Sequence, residues 1–214
     1  MNIIEVNGIS LRIRKDLILD NIDMSVKQGS IHGLIGRNGC GKTMLMKCIC
    51  GFVRPTTGEI TVRGKRVGSD CDFPDDIGII IETPGFIPYY GGYRNLRLLA
   101  GLRRKIKPER IRQAMREVGL DPILGRHVRK YSMGMRQRLG LAQAVMENPD
   151  ILILDEPMNG LDRDGVDDVR AYLKKFRDDG KTILVASHSE QDVALLCDTV
   201  TEMERGRILT VAAY

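Results

Sequence analysis

The sequence predicts an α/β fold around a mainly parallel sheet covered on both faces, and three observations carry that prediction. Runs 31–35, 77–81, 151–154 and 183–186 are apolar at almost every position, as strands buried on both faces are. Helical patterns separate them, which argues parallel pairing with crossover helices. Gly36-Arg37-Asn38-Gly39-Cys40-Gly41-Lys42-Thr43 directly follows the first run, and a glycine-rich turn between strand and helix belongs to such folds.

Taken in order, residues 3–26 run apolar or alternate in short stretches with Gly8 between them. Ile9, Leu11 and Ile13 share one face and Arg12 and Arg14 the other, the period of a half-buried strand. Ile18, Leu19, Ile22, Met24 and Val26 extend this β region, and Lys27-Gln28-Gly29 turns the chain. The glycine-rich loop follows strand 31–35 and leads into a helix from 43 to about 50. Pro55-Thr56-Thr57-Gly58 reads as a turn, 59–63 as a strand of period two, and 64–76 as polar and turn-rich. Strand 77–81 ends at Glu82-Thr83-Pro84-Gly85.

From about 95 to 146 the pattern is helical. Leu96, Leu99 and Ala100 recur at three and four. Pro108 suits the first turn of a helix running to Val118, and Gly119 is placed to stop it. Met135, Leu139, Ala142 and Met146 form a further stripe. Residues 84–148 therefore read as a largely helical insertion in a single domain spanning 1–214, with the core in 1–83 and 149–214. The core resumes with strand 151–154, a helix near 164–178, strand 183–186, a helix near 190–197, and short strands near 200–204 and 207–211.

Composition narrows the function classes. The chain has 214 residues, 33 Lys and Arg against 28 Asp and Glu, and a formal charge of +5. No long basic run argues for nucleic acid. No window approaches the roughly 18 apolar residues of a membrane span, and the first residues lack the pattern of a secretory leader. Five scattered cysteines suit a reduced, cytosolic compartment, and Cys71 and Cys197 lack zinc-ligand spacing.

The loop 36–43 has the spacing G-x-x-x-x-G-K-T of a phosphate-binding loop. Its glycines let backbone N–H groups of Asn38, Gly39, Cys40 and Gly41 turn around an anion, and the following helix adds the positive end of its dipole. Lys42 reaches terminal phosphates and the Thr43 hydroxyl suits Mg²⁺. This is an ATP or GTP site. Asp155 and Glu156 end strand 151–154, where carboxylates need a partner. Beside a phosphate loop, Asp155 suits the Mg²⁺ shell and Glu156 an attacking water. His188, after Ser187 at another strand end, is placed to donate to the γ-phosphate and to steady Glu156. Ser132 is placed as the N-cap of the helix beginning at Met133 and Gly134, which reads equally as a capped helix or a second anion site. Glu82 reads as a solvated turn carboxylate or as a residue sensing Mg²⁺ or water.

Five motifs stand in one order: loop 36–43, Tyr131-Ser-Met-Gly-Met-Arg-Gln-Arg138, 151–157, Asn159-Gly-Leu-Asp162 and Ser187-His188. Together they resemble the ATP-binding subunit of an ABC transporter, over residues 3–211. The resemblance implies a three-layer P-loop NTPase core, an antiparallel β subdomain from the N-terminal strands and 59–63, and a helical subdomain across the insertion. It also implies a head-to-tail dimer, of identical or different subunits. In it Mg-ATP is clamped between Lys42, Thr43, Asp155, Glu156 and His188 of one copy and Ser132 and Gly134 of the other, with Asp162 at the seam. A separate permease would hold the subunit at the cytoplasmic face of the membrane; no nucleic acid is expected. Several positions depart from the usual pattern: Glu82 replaces glutamine, Met44 a threonine, and Ile13 the aromatic that stacks on adenine. Glu82 and the 131–138 signature are similar to the bacitracin-resistance and lantibiotic-immunity exporters, implying export of a peptide antibiotic, drug or other amphipathic substrate. The rival readings are a soluble ABC-type ATPase acting on nucleic acid or the ribosome, and a module that binds ATP without cycling it.

Overall fold

The computed structural model describes the backbone of residues 1–213 and their side chains except those of Glu190 and Ala213. The strands are β1 (Asn2–Ile13), β2 (Asp16–Lys27), β3 (Ile31–Ile35), β4 (Thr57–Val62), β5 (Lys65–Arg66), β6 (Ile77–Ile80), β7 (Ile151–Asp155), β8 (Thr182–Ser187), β9 (Thr199–Glu204) and β10 (Arg207–Ala213). The helices are α1 (Lys42–Ile49), α2 (Gly92–Arg103), α3 (Pro108–Glu117), α4 (Met133–Val145), α5 (Arg163–Asp178) and α6 (Glu190–Leu196).

Six strands form one sheet in the order β10-β9-β3-β8-β7-β6, and four form a second in the order β2-β1-β4-β5. In the larger sheet only β10 runs antiparallel to its neighbour. Alternation along its buried strands builds two cores. Ile151, Ile153, Leu184 and Ala186 face α1 and the antiparallel sheet. Leu152, Leu154, Ile183 and Val185 face the side of α2 to α6. A strand feeding both cores must be apolar at every position, which is why 151–154 and 183–186 read as unbroken runs.

Three local expectations change. β1 and β2 are each a single strand of 12 residues. Gly8, at φ 59°, lies within β1 where the register with β2 and β4 slips, so it marks a bulge and not a break between strands. The stretch 64–76 contains β5, which β4 captures through the Thr61–Arg66 and Val62–Lys65 pairs. Helix α2 begins at Gly92, three residues before the expected start.

One contact aligns α4. A Cβ on Gly78 would lie 2.1 Å from the Ala144 carbonyl oxygen, so β6 and α4 touch backbone to backbone. The helix that Ser132 caps is thereby set directly against the sheet.

Candidate functional site

The parallel order brings three strand ends together. Ile35 pairs with Ser187, and Asp155 with Ala186, so the phosphate loop, the acidic pair and His188 leave the same edge of the sheet. Ligands bind in open α/β sheets at the carboxyl ends of the strands.

Gly36 has φ 146°, and a Cβ there would meet the Met203 carbonyl oxygen at 2.2 Å. Gly41, at φ 113°, precedes α1 directly and supplies no side-chain cap. The first-turn N–H groups of α1 therefore depend on an anion or water for partners. The Lys42 side chain is buried along the loop, its Nζ donating to Gly36 O at 2.6 Å and Arg37 O at 3.3 Å. Thr43 Oγ1 donates to Asp155 Oδ2 at 2.6 Å. Around them lies a cavity of about 230 Å³ whose walls include Ile18, Asn38, Gly39, Met44 and Glu156.

The φ of 50° at Glu156 turns the chain out of β7, while its N–H stays bonded to Ala186 O at 3.0 Å. Its carboxylate meets His188 Nδ1 at 2.8 Å, with Nδ1 the donor in the matching tautomer. Gln137 Nε2 on α4 donates to the Glu156 carbonyl at 3.2 Å. His188 is 61% exposed at its side chain and lines a cavity of about 550 Å³ together with Gly36, Arg37 and Asn38.

The remaining expected residues form a second neighbourhood. Ser132 Oγ accepts from Met135 N at 3.1 Å, an N-cap bond. Gly134 lies against the next turn: a Cβ there would be 3.1 Å from Gly160 O and 3.3 Å from Leu161 Cδ2. Asp162 caps α5 by accepting from Gly165 N at 3.1 Å. Among the described residues no hydrogen bond joins Ser132, Gly134 or Asp162 to Lys42, Thr43, Asp155, Glu156 or His188.

Neither Ile13 nor Glu82 lines the cavity at the loop, whereas Ile18 does. Ile13 is 44% exposed at the end of β1. Glu82, at φ 61°, pairs with Lys47 Nζ on α1 at 2.5 Å. Sequence reasoning passed over Ile18, Lys47 and Gln137. The alternation through Ile18 offered a weak signal and the position of Gln137 on a motif helix another; Lys47 offered none.

The donor set fits Mg²⁺ held jointly with phosphate oxygens. Thr43 and Asp155 supply two hard oxygens, and Mg²⁺ commonly takes only one or two protein ligands. Among the described residues no group of three or more His, Cys, Asp or Glu is placed to hold a metal alone.

The ABC transporter family model matches residues 19–159. The chain is 41% identical over 207 residues to the uncharacterized ABC transporter ATP-binding protein YybJ of Bacillus subtilis, covering 97% of this chain and 95% of that one. It is 36% identical to the bacitracin transport ATP-binding protein BcrA of Enterococcus faecalis, with 97% and 68% covered. Identity to the lantibiotic transport ATP-binding protein SrtF of Streptococcus pyogenes is 34%, with 99% and 91% covered. A dimeric ATP-binding cassette bound to ADP and Pi superposes with a TM-score of 0.87 over 98% of both chains, and at 21% identity this likeness concerns the fold.

Proposed function

Because the chain belongs to the ABC transporter family, whose ATP-binding cassettes hydrolyse ATP, we propose that it is the ATPase subunit driving a separate membrane permease. Export of a peptide antibiotic or similar amphipathic molecule is the proposed task, supported by the likeness to BcrA and SrtF. The observation that carries the catalytic part is the pair of contacts at one sheet edge: Thr43 to Asp155, and His188 to Glu156.

In this reading Lys42 and the loop N–H groups bind the β- and γ-phosphates, while Thr43 and Asp155 hold Mg²⁺. Mg²⁺ when bound neutralises phosphate charge. Glu156 accepts a hydrogen bond from water and orients it, and His188 holds the Glu156 carboxylate and supports the γ-phosphate side. Ile18, which walls the cavity at the loop, offers the base apolar contact where other cassettes stack an aromatic. We assign residues of about 84–148, with α2, α3 and α4, as the subdomain that meets the permease at the cytoplasmic face of the membrane.

Ser132 and Gly134 lack hydrogen bonds to the phosphate-loop residues of their own chain, which supports completion of each site by Ser132 and Gly134 of the partner subunit. Asp162, beside them through the 160–161 turn, would then lie at the seam. Light scattering on Glu156→Gln tests this: the mass should double when Mg-ATP is added. A mass unchanged by Mg-ATP refutes the shared site. Co-purification with the membrane protein encoded beside it tests the permease assignment.

A further inference from the structure

Charge is unevenly divided along the chain. Residues 84–148 contain fourteen Lys and Arg against four Asp and Glu, a net of +10, whereas the whole chain has +5. The excess is densest in α2 and the segment after it. Between Gly92 and Lys107 there are six cations and no carboxylate. Arg103 reaches Glu147 on α4 at 2.8 Å. Among the described residues Arg94, Arg97, Arg104, Lys105 and Lys107 form no ion pair. Elsewhere cations and carboxylates are interspersed: Arg63 pairs with Asp76 and Asp150, Arg177 with Asp178 and Asp198, and Arg207 with Asp20, although exposed cations such as Arg12, Arg14 and Lys15 form no ion pair among the described residues.

These cations share a surface with exposed leucines. Leu96 and Ala100 bury the inner face of α2, while Arg94, Arg97, Leu98, Gly101 and Leu102 recur at three and four on its solvent face. Leu98 is 47% and Leu102 81% exposed. Arg104, at φ 53°, ends the helix, its N–H bonded to Ala100 O, and the exposed Lys105 and Lys107 follow. Neighbouring like charges repel one another, and a solvated leucine gains nothing from water. Both terms turn favourable against a partner that is anionic and offers an apolar layer.

We propose that this end of α2, with Leu98, Leu102, Arg104, Lys105 and Lys107, rests on an anionic phospholipid surface. The cations would meet headgroup phosphates while the two leucines enter the acyl boundary. Flexible, unpaired cations need no fixed register of anions, which a headgroup layer supplies and a folded acidic segment does not. The contact is made by the chain itself and does not depend on the permease.

Co-sedimentation of the isolated chain with vesicles of phosphatidylcholine, with and without about a third phosphatidylserine, tests the proposal. Binding is expected only to the anionic vesicles, falling steeply as salt is raised. Each neutralised cation is expected to weaken it about fivefold, and R104E with K105E and K107E by at least a hundredfold. Leu102→Ser should weaken it severalfold, and ATP hydrolysis in solution should stay unchanged in all these variants. Equal binding to neutral vesicles, or full anionic binding by the triple variant, overturns the proposal. So does an isolated chain that ignores anionic vesicles but captures polyglutamate.

Discussion

His32 makes stability depend on pH in a window that carboxylates barely enter. It sits on β3, the strand that delivers the phosphate loop, and is 1% exposed. Its Nδ1 lies 2.7 Å from Thr199 Oγ1 and its Nε2 2.9 Å from Thr201 Oγ1. Burial pushes its pKa from an ordinary 6.5 down to about 4. The folded chain thus keeps the ring neutral at a pH where the unfolded chain protonates it. The stabilisation is fully present above pH 6.5, declines as pH falls below that value, and is exhausted below about pH 4. Linkage across the whole interval amounts to roughly 3 kcal/mol, of which about 2 kcal/mol is lost between pH 7 and pH 5. With a urea slope near 2 kcal/mol/M, that loss lowers the unfolding midpoint by about 1 M. Urea melts at both pH values should show this shift in the wild type. In His32→Gln, which retains a polar group and cannot titrate, the shift should nearly vanish. Equal shifts in both proteins would refute the reasoning, because the lost stability would then come from other groups.

Three further predictions concern the nucleotide site. Lys42→Ala removes a cation whose charge-assisted hydrogen bonds are worth about 1.5–3 kcal/mol each, so ATP affinity by calorimetry should fall at least tenfold. Glu156→Gln should slow steady-state phosphate release at least about a hundredfold while leaving ATP affinity near wild type; turnover within about twofold would remove Glu156 from the chemistry. Glu82→Gln should leave ATP binding within a few-fold yet weaken permease-stimulated turnover, whereas full transport by Glu82→Ala in reconstituted membranes would make it a plain surface partner of Lys47. Because Glu82 is 64% exposed at its side chain, breaking the Lys47 pair itself should change stability by no more than about 1 kcal/mol.

Local chemistry made part of this protein legible from residue order alone. A strand buried on both faces has to be apolar almost throughout, so the runs of β7 and β8 announce themselves. The phosphate loop is likewise local: the glycines at 36 and 41, with Lys42 and Thr43 immediately after, act through backbone conformation within eight residues. Asp155, Glu156 and His188 could be picked out because they close apolar runs where a charge is costly. The tertiary structure decided which of these ends meet, since Thr43 and Asp155 are 112 residues apart and His188 and Glu156 are 32 apart. It also decided that Ile18, partly buried against the core, and not the exposed Ile13 walls the cavity, because a hairpin's twist and bulges set which position faces the loop. Lys47 and Glu82, 35 residues apart, likewise meet only through the fold. His32 shows the same limit: period and composition mark it as a polar interruption in an apolar strand, and only the neighbouring β9 supplies the two threonine hydroxyls that satisfy it. Residue order encodes backbone preference and burial; pairing between distant side chains is settled by strand order and register.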